Sequence, residues 1–245
     1  MSFKTSSIVG VLMSIAVAGV GQSAESKWEM DMMSPDLSNT QSLQNGFKIY
    51  VNYCLGCHSL QYQRYERTAD DLELPHEVVV DNLIFTDQKI GELMTSSMDP
   101  GKAKDWFGAP PPDLTMVTRV RSSEWLYNYL RTFYIDESRP FGVNNGVFPN
   151  VGMPNVLAEL QGTQELVCPS DEGVCNSLEL IEGTGSLGQA EFDQVAYDLS
   201  NFLYYVGEPT RLERQNLGVY VLIFLLAFYF ITRLLAREYR KEVKH

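Results

Sequence analysis

The longest signal in the chain is an unbroken apolar run near its C-terminus, "LGVYVLIFLLAFYFIT", Leu217 to Thr232, which carries no charge. Extended through Arg233 to Ala236 it makes twenty residues, a helix of roughly 30 Å, the thickness of a hydrocarbon core. A core helix of a soluble domain would show a polar face and this run has none, so the pattern predicts one transmembrane helix over 217–236. Arg233 is the discordant residue, and its long stem lets the guanidinium reach the headgroups. Upstream, "SLQNGFKIYVNYCLGCH" places Leu43, Phe47, Tyr50 (or Val51) and Cys54 three and four apart, predicting a helix whose last turn holds two cysteines. "GAPPP", Gly108 to Pro112, forbids a helix. "DLTMVTRVRSSEWLYNYLRTFY" resumes one or two, with Asp113 a candidate cap and a second start at Ser122 or Ser123. In "EFDQVAYDLSNFLYYVGEP", Phe192, Val195, Leu199 and Phe202 share one stripe before Pro209 ends the helix.

Between these segments the pattern is weaker. Glu25 to Ser42 has no clear period and reads as an extended lead-in. Gln61 to Glu92 is charged, with short helical patches in "DDLELP" and "HEVVVDNLI", and Gly, Pro and Asn make Arg139 to Asn155 a long loop, with a second over Gln161 to Gly188. Long loops inside compact domains are often functional. Lys4 followed by a small apolar stretch, Ile8 to Val20, and then "GQSAES" reads as an export signal. An uncleaved anchor is the alternative. The expected organisation is a signal over 1–24, the lead-in over 25–42, a main domain over 43–209, a linker over 210–216, the span over 217–236 and a tail over 237–245.

Charge orients this arrangement. The tail "RLLAREYRKEVKH" holds five Lys and Arg against two Glu and is expected to stay in the cytoplasm, leaving the main domain on the periplasmic side of the inner membrane as a single-pass protein in contact with lipid. Residues 1–216 carry 14 Lys and Arg against 29 Asp and Glu, a net of −15. Such a field repels nucleic acid and steers basic protein partners. Simple solubility explains many of these carboxylates equally well.

The chemistry concentrates in "YCLGCHSL", where two of the four cysteines and one of the three histidines fall within five positions. Cys54, Cys57 and His58 fit C-x-x-C-H, the attachment pattern of c-type haem. At i, i+3 and i+4 the side chains share one face of a helical turn, so two thiols can add to the porphyrin vinyl groups while the imidazole meets iron from the same side. A thioredoxin-like dithiol would want a βαβ context that these flanks lack. A zinc site recruiting Cys168 and Cys175 is a further reading, although outside the cytoplasm those two are better placed as a local disulfide. The sixth iron position could be taken by Met153 in "FPNVGMPN", where Gly152 and Pro154 make an irregular backbone able to aim a thioether. Met94, Met98 and Met116 remain candidates on pattern alone. His245 lies beyond the span, so a second imidazole has just one plausible source, His76, only eighteen residues from His58.

Four segments, in this order, resemble the cytochrome c1 family, the haem subunits of ubiquinol:cytochrome c oxidoreductase. "GFKIYVNYCLGCHSL" resembles its haem segment, "APPPDLTMVTRVR" its proline-rich haem-edge segment, "FPNVGMPNVL" its methionine loop and "YYVGEP" the helix end before its anchor. The resemblance spans about residues 43 to 235, and does not extend residue by residue through 61–108. It implies one haem c held through Cys54 and Cys57, iron ligation by His58 and Met153, Pro111 and Pro112 at the haem edge, Arg121 on a propionate and Tyr127 in the pocket. It also implies electron relay from a Rieske iron-sulfur protein to a soluble or membrane-bound c-type cytochrome, beside cytochrome b. No bond chemistry is expected on the subunit alone, which would act as an electron carrier within an oxidoreductase. The rival readings are another anchored monohaem cytochrome such as an oxidase subunit, a haem peroxidase or ligand sensor with an open sixth site, and a structural anchor without cofactor. The expected fold is a mostly α c-type cytochrome domain, its first and last helices crossing beside the haem, followed by a single C-terminal transmembrane helix.

Overall fold

The computed structural model describes residues 28–168 and 177–242. The expected signal over 1–24, Cys175 and His245 lie outside the described residues. Among the described residues the architecture is mostly helical with three small antiparallel strand pairs. Helix α1, Thr40–Ile49, starts where the Asn39 side chain accepts from the Ser42 N–H, an N-cap. It runs directly into a π-helical turn, Tyr50–Cys54, closed by the Leu55 N–H donating to the Tyr50 carbonyl at 2.9 Å. The wider turn keeps Phe47, Tyr50, Val51 and Cys54 all buried. Such single-turn insertions recur at functional sites.

The chain continues through β1 (Leu60–Arg64), α2 (Tyr65–Asp71), α3 (His76–Leu83), β2 (Leu93–Met94) and α4 (Pro100–Phe107), then α5 (Val117–Val120) and α6 (Ser123–Arg131). Asp113 does not cap a helix: it accepts from the Thr115 and Gln61 N–H groups, fixing a turn, whereas Ser122 caps α6 by accepting from Trp125. Both segments expected as plain loops contain strands. Strand β3 (Phe133–Ile135) pairs with β4 (Val143–Asn145), and after α7 (Ala158–Gln161), β5 (Gln164–Val167) pairs with β6 (Ser177–Leu180). These strands are three or four residues long, too short for alternation to stand out in sequence.

The last body helix, α8 (Gln189–Gly207), packs across α1. Phe47 lies 5.4 Å from Phe202 between ring centroids, and Tyr50 5.9 Å; each fully buried Phe contributes about 1.5–3 kcal/mol. Gly46 permits the approach. A β-carbon there would lie 2.5 Å from Phe202 Cβ and closer still to the Asp198 carbonyl oxygen. Beside this contact the buried Asp198 carboxylate accepts from Ser42 at 2.6 Å, Gln194 at 2.8 Å and Asn45 at 3.2 Å, which offsets its desolvation. On the predicted stripe of α8, Phe192, Leu199 and Phe202 are buried while Val195 is only half-buried, Ala196 taking the inner position.

The lead-in, free of helix through Asn39, is bound as a strap. The Asn128 side chain accepts from the Asp31 N–H and donates to its carbonyl, and Asn201 does the same with Asp36. Helix α9, Arg211–Glu242, then extends as one rod with mean hydropathy 2.3 over its apolar window and none of that window buried. Its length and composition suit a membrane span. The expected linker over 210–216 is therefore mostly helical, because after Pro209 nothing in "TRLERQN" stops a helix.

Candidate cofactor site

The two walls of the body meet around a cavity of about 600 Å³, within the range of cofactor pockets. Cys54, Cys57 and His58 line one side and Met153 lines it too, so groups nearly a hundred residues apart in sequence converge. Leu199 and Leu203 of α8 and Leu126 and Leu130 of α6 supply apolar wall.

The C-x-x-C-H turn is held rigidly. The N–H groups of Cys57 and His58 both donate to the Cys54 carbonyl at 3.0 and 2.8 Å. The Tyr50 hydroxyl donates to the His58 carbonyl at 2.6 Å, and Ser96 Oγ donates to the Gly56 carbonyl at 2.8 Å. His58 Nδ1 lies 2.7 Å from the Pro112 carbonyl oxygen. Since a carbonyl only accepts, Nδ1 carries the proton and Nε2 keeps its lone pair, the arrangement of a histidine oriented for a metal. Burial lowers the His58 pKa, partly opposed by the Pro112 hydrogen bond and the Asp113 charge, which favours the neutral, ligating form. Burial pushes the Cys54 thiol up to about 12 and raises Cys57 as well. That is the reverse of the low-pKa thiolate of a dithiol oxidoreductase. Among the described residues no cluster of three or more His, Cys, Asp or Glu could hold a metal ion. Cys54 and Cys57 are free thiols while Cys168 is disulfide-bonded, which removes it from the zinc reading.

Pro111 and Pro112 line the cavity, and what Pro112 contributes is its carbonyl, which sets the His58 tautomer. Arg121 lies at the rim, its guanidinium 5.1 Å from the Trp125 ring centroid and 5.9 Å from that of Phe148. No carboxylate pairs with it among the described residues, so a cation remains available for an acidic group entering the cavity. Met153 accepts a hydrogen bond from the Tyr129 hydroxyl, 3.3 Å from oxygen to sulfur. Of the other methionines, Met94 is fully buried in the β1–β2 pairing and Met98 lies off the cavity, while Met116 sits on its wall, largely exposed. His76 is hydrogen-bonded to Asp70 on the surface, away from the cavity.

Tyr127 is a correction. It does not line the cavity; the Arg131 guanidinium lies 4.5 Å from its ring centroid on the other flank of α6. Helical spacing explains this, since Trp125, Leu126, Tyr129 and Leu130 share one face and residue 127 falls between their repeats. Tyr129 stands in the pocket instead, stacked at 5.0 Å on Trp125.

The sequence reading also missed Asn145. Fully buried, it donates to the Tyr129 carbonyl at 2.8 Å and accepts from the N–H groups of Val147 and Phe148 at 3.0 and 2.9 Å. It thus ties the methionine loop to the wall that carries Tyr129. Arg139 closes the same loop by donating to the Asn150 side chain and carbonyl. Paired asparagines ahead of glycine in "VNNGV" were the available hint, though they signal only a turn.

The sequence profile described as the Cytochrome C1 family matches residues 93–243. The chain is 49% identical over 213 residues to "Cytochrome c1" of Allochromatium vinosum, covering 85% of this chain and 87% of that protein. The chain belongs to the cytochrome c1 family. Membership implies haem c as cofactor and a place as a haem electron-transfer subunit of a bc1 complex, anchored in a membrane. Other relatives are the "Ammonia monooxygenase gamma subunit" of Nitrosomonas europaea, 39% identical over 91% of this chain and 93% of that one, and "Cytochrome b/c1" of Bradyrhizobium diazoefficiens, 26% identical over 76% of this chain and 31% of that longer protein. The residues present fit haem c: two thiols, an imidazole with a free Nε2, a thioether and an unpaired guanidinium surround one apolar cavity.

Proposed function

We propose that this cytochrome c1 family chain would hold a single haem c through thioethers to Cys54 and Cys57, with His58 and Met153 as the side chains that would bind its iron. In this reading it receives electrons from a Rieske iron-sulfur protein and passes them to a soluble or membrane-bound c-type cytochrome. The observation that carries the reading is the convergence of the C-x-x-C-H turn and Met153 on one cavity. Bound there, haem c supplies a one-electron iron couple. The chain's own groups do the rest. Pro112 holds His58 in the ligating tautomer, Tyr129 orients the Met153 sulfur, Arg121 neutralises an acidic edge, and the leucines of α6 and α8 exclude water, which keeps charge interactions in the site strong. A thioether on the iron would favour electron carriage over ligand chemistry.

Cytochrome b fits as a partner, supported by the relative whose printed name joins b and c1 in one polypeptide. The basic residues after the span support a cytoplasmic C-terminus and a periplasmic haem domain, and the −15 charge of residues 1–216 supports a basic acceptor.

On a denaturing gel of membranes from cells competent in cytochrome maturation, the chain retains haem by peroxidase staining. The double variant Cys54→Ser, Cys57→Ser loses the stain while the polypeptide is still seen by antibody. A wild-type band without stain would refute covalent attachment.

Asn145→Ala leaves three backbone groups without their partner, at roughly 1–3 kcal/mol for each buried group left unsatisfied. Haem stays attached, but a fraction of the reduced protein binds carbon monoxide as the Met153 loop loosens. A variant that resists carbon monoxide as well as wild type would remove Asn145 from the support of the loop.

A further inference from the structure

Glu208 occupies the three-residue break between α8 and α9, where Pro209 interrupts the backbone ladder. Its side chain is only 12% exposed, and three guanidiniums converge on it: Arg119 of α5 at 2.6 Å, Arg211 of α9 at 3.8 Å, and Arg214 of α9. The surroundings are packed. A β-carbon at Gly207 would lie 2.9 Å from Thr118 Oγ1 and 3.3 Å from Arg119 Cγ, and the Thr118 hydroxyl donates to the Leu203 carbonyl at 3.1 Å. The Arg211 guanidinium also lies 5.0 Å from the Tyr204 ring centroid.

These contacts join the cofactor cavity to the membrane helix by a short path. Helix α5 carries Val117 and Val120 on the cavity wall and is followed at once by Arg121, while Leu203 of α8 lines the same cavity. A break of three residues would otherwise let a long rod swing, since backbone hydrogen bonds alone hold it through one turn. A partly buried carboxylate shared by charged donors from both sides is the strongest tie available there.

We propose that Glu208 is a positioning residue: by gathering Arg119 with Arg211 and Arg214 on one carboxylate it locks the haem domain in a single orientation on its membrane helix, and so sets its reach to an electron donor held in the same membrane. The inference rests on the electron-transfer reading above. It concerns orientation only, since Glu208 lies outside the cavity lining. Without the carboxylate, three guanidiniums face one another with no other ion-pair partner among the described residues, which drives the joint open.

The test uses the full chain in its complex, in lipid nanodiscs, with nitroxide labels on cysteines introduced at the exposed positions Glu137 and Asn216. The wild type gives one narrow distance distribution. Glu208→Gln broadens it and slows quinol-driven haem reduction about tenfold, the scale expected when a charge-assisted tie that selects one of two states is lost. Haem content and reduction by ascorbate stay unchanged. Arg119→Gln, at a more exposed position, broadens the distribution in the same way. A distribution unchanged in both variants overturns the proposal, and so does a broadened one with undiminished quinol-driven reduction. If the wild type itself is not reduced by quinol, the electron-transfer reading fails, while the label distances still decide whether Glu208 locks the joint.

Discussion

Replacing Met153 by leucine is expected to leave haem attached while lowering its reduction potential by roughly a few hundred millivolts, a fraction of the ~0.8 V over which axial ligation tunes haem. Leucine keeps the volume of the side chain and removes only the sulfur. The thioether stabilises the ferrous state, so without it the oxidised form gains. At about 59 mV per tenfold change for one electron, such a shift would reverse the preference for passing electrons onward to a high-potential acceptor. With Met153 as the proposed iron ligand, the reduced form of the same variant is expected to bind carbon monoxide. Redox titration and carbon monoxide difference spectra of the purified protein check both expectations. An unchanged potential would move the ligand elsewhere, Met116 being the other methionine on the cavity wall.

A large stability effect is expected from Gly46→Ala. The added carbon would sit 2.5 Å from Phe202 Cβ and press harder still on the Asp198 carbonyl. Backbone cannot yield as a side-chain tip would, so α1 and α8 must move apart, separating Phe47 from Phe202 and disturbing the hydrogen bonds on Asp198. A cost of about 3 kcal/mol, the upper part of the overpacking range, lowers Tm by roughly 6–12 °C for a domain of this size. Because α1 leads into Cys54 and α8 carries Leu199 and Leu203, haem incorporation falls as well. Thermal melts followed at the haem band measure this. Gly91→Ala, where the new carbon meets only Glu66 Oε2 at 3.6 Å, is the control and stays within about 0.5 kcal/mol. Equal melts for the two variants would mean that α1 and α8 do not depend on close approach at Gly46.

Much of the cavity lining was legible because its sequence signals are local. Cys54, Cys57 and His58 lie within one helical turn, and the proline-rich segment, the methionine loop and the apolar C-terminal run are each short stretches of consecutive residues. The errors occurred where a residue's direction depended on its neighbours. Tyr127 and Tyr129 are both aromatic and only two positions apart, yet the turn of α6 puts one under Arg131 and the other against Met153. The short strands Phe133–Ile135, Val143–Asn145, Gln164–Val167 and Ser177–Leu180 left no periodicity to read. Asp113 looked like a cap because caps and turns use the same side-chain chemistry.

Periodicity, apolar run length and the i, i+3, i+4 grouping of thiols and imidazole are properties of consecutive residues, so sequence alone determined the helical body, the long apolar C-terminal helix and the cofactor class. Only the tertiary structure decided that the Pro112 carbonyl sets the His58 tautomer, that Asn145 ties the methionine loop to Tyr129, that Gly46 lets two helices touch and that Glu208 gathers cations from two helices. The first three are made largely through backbone atoms that every residue possesses, and the fourth joins Glu208 to Arg119, far off along the chain. Such contacts leave no mark on residue type, and become visible only when folding brings the partners together.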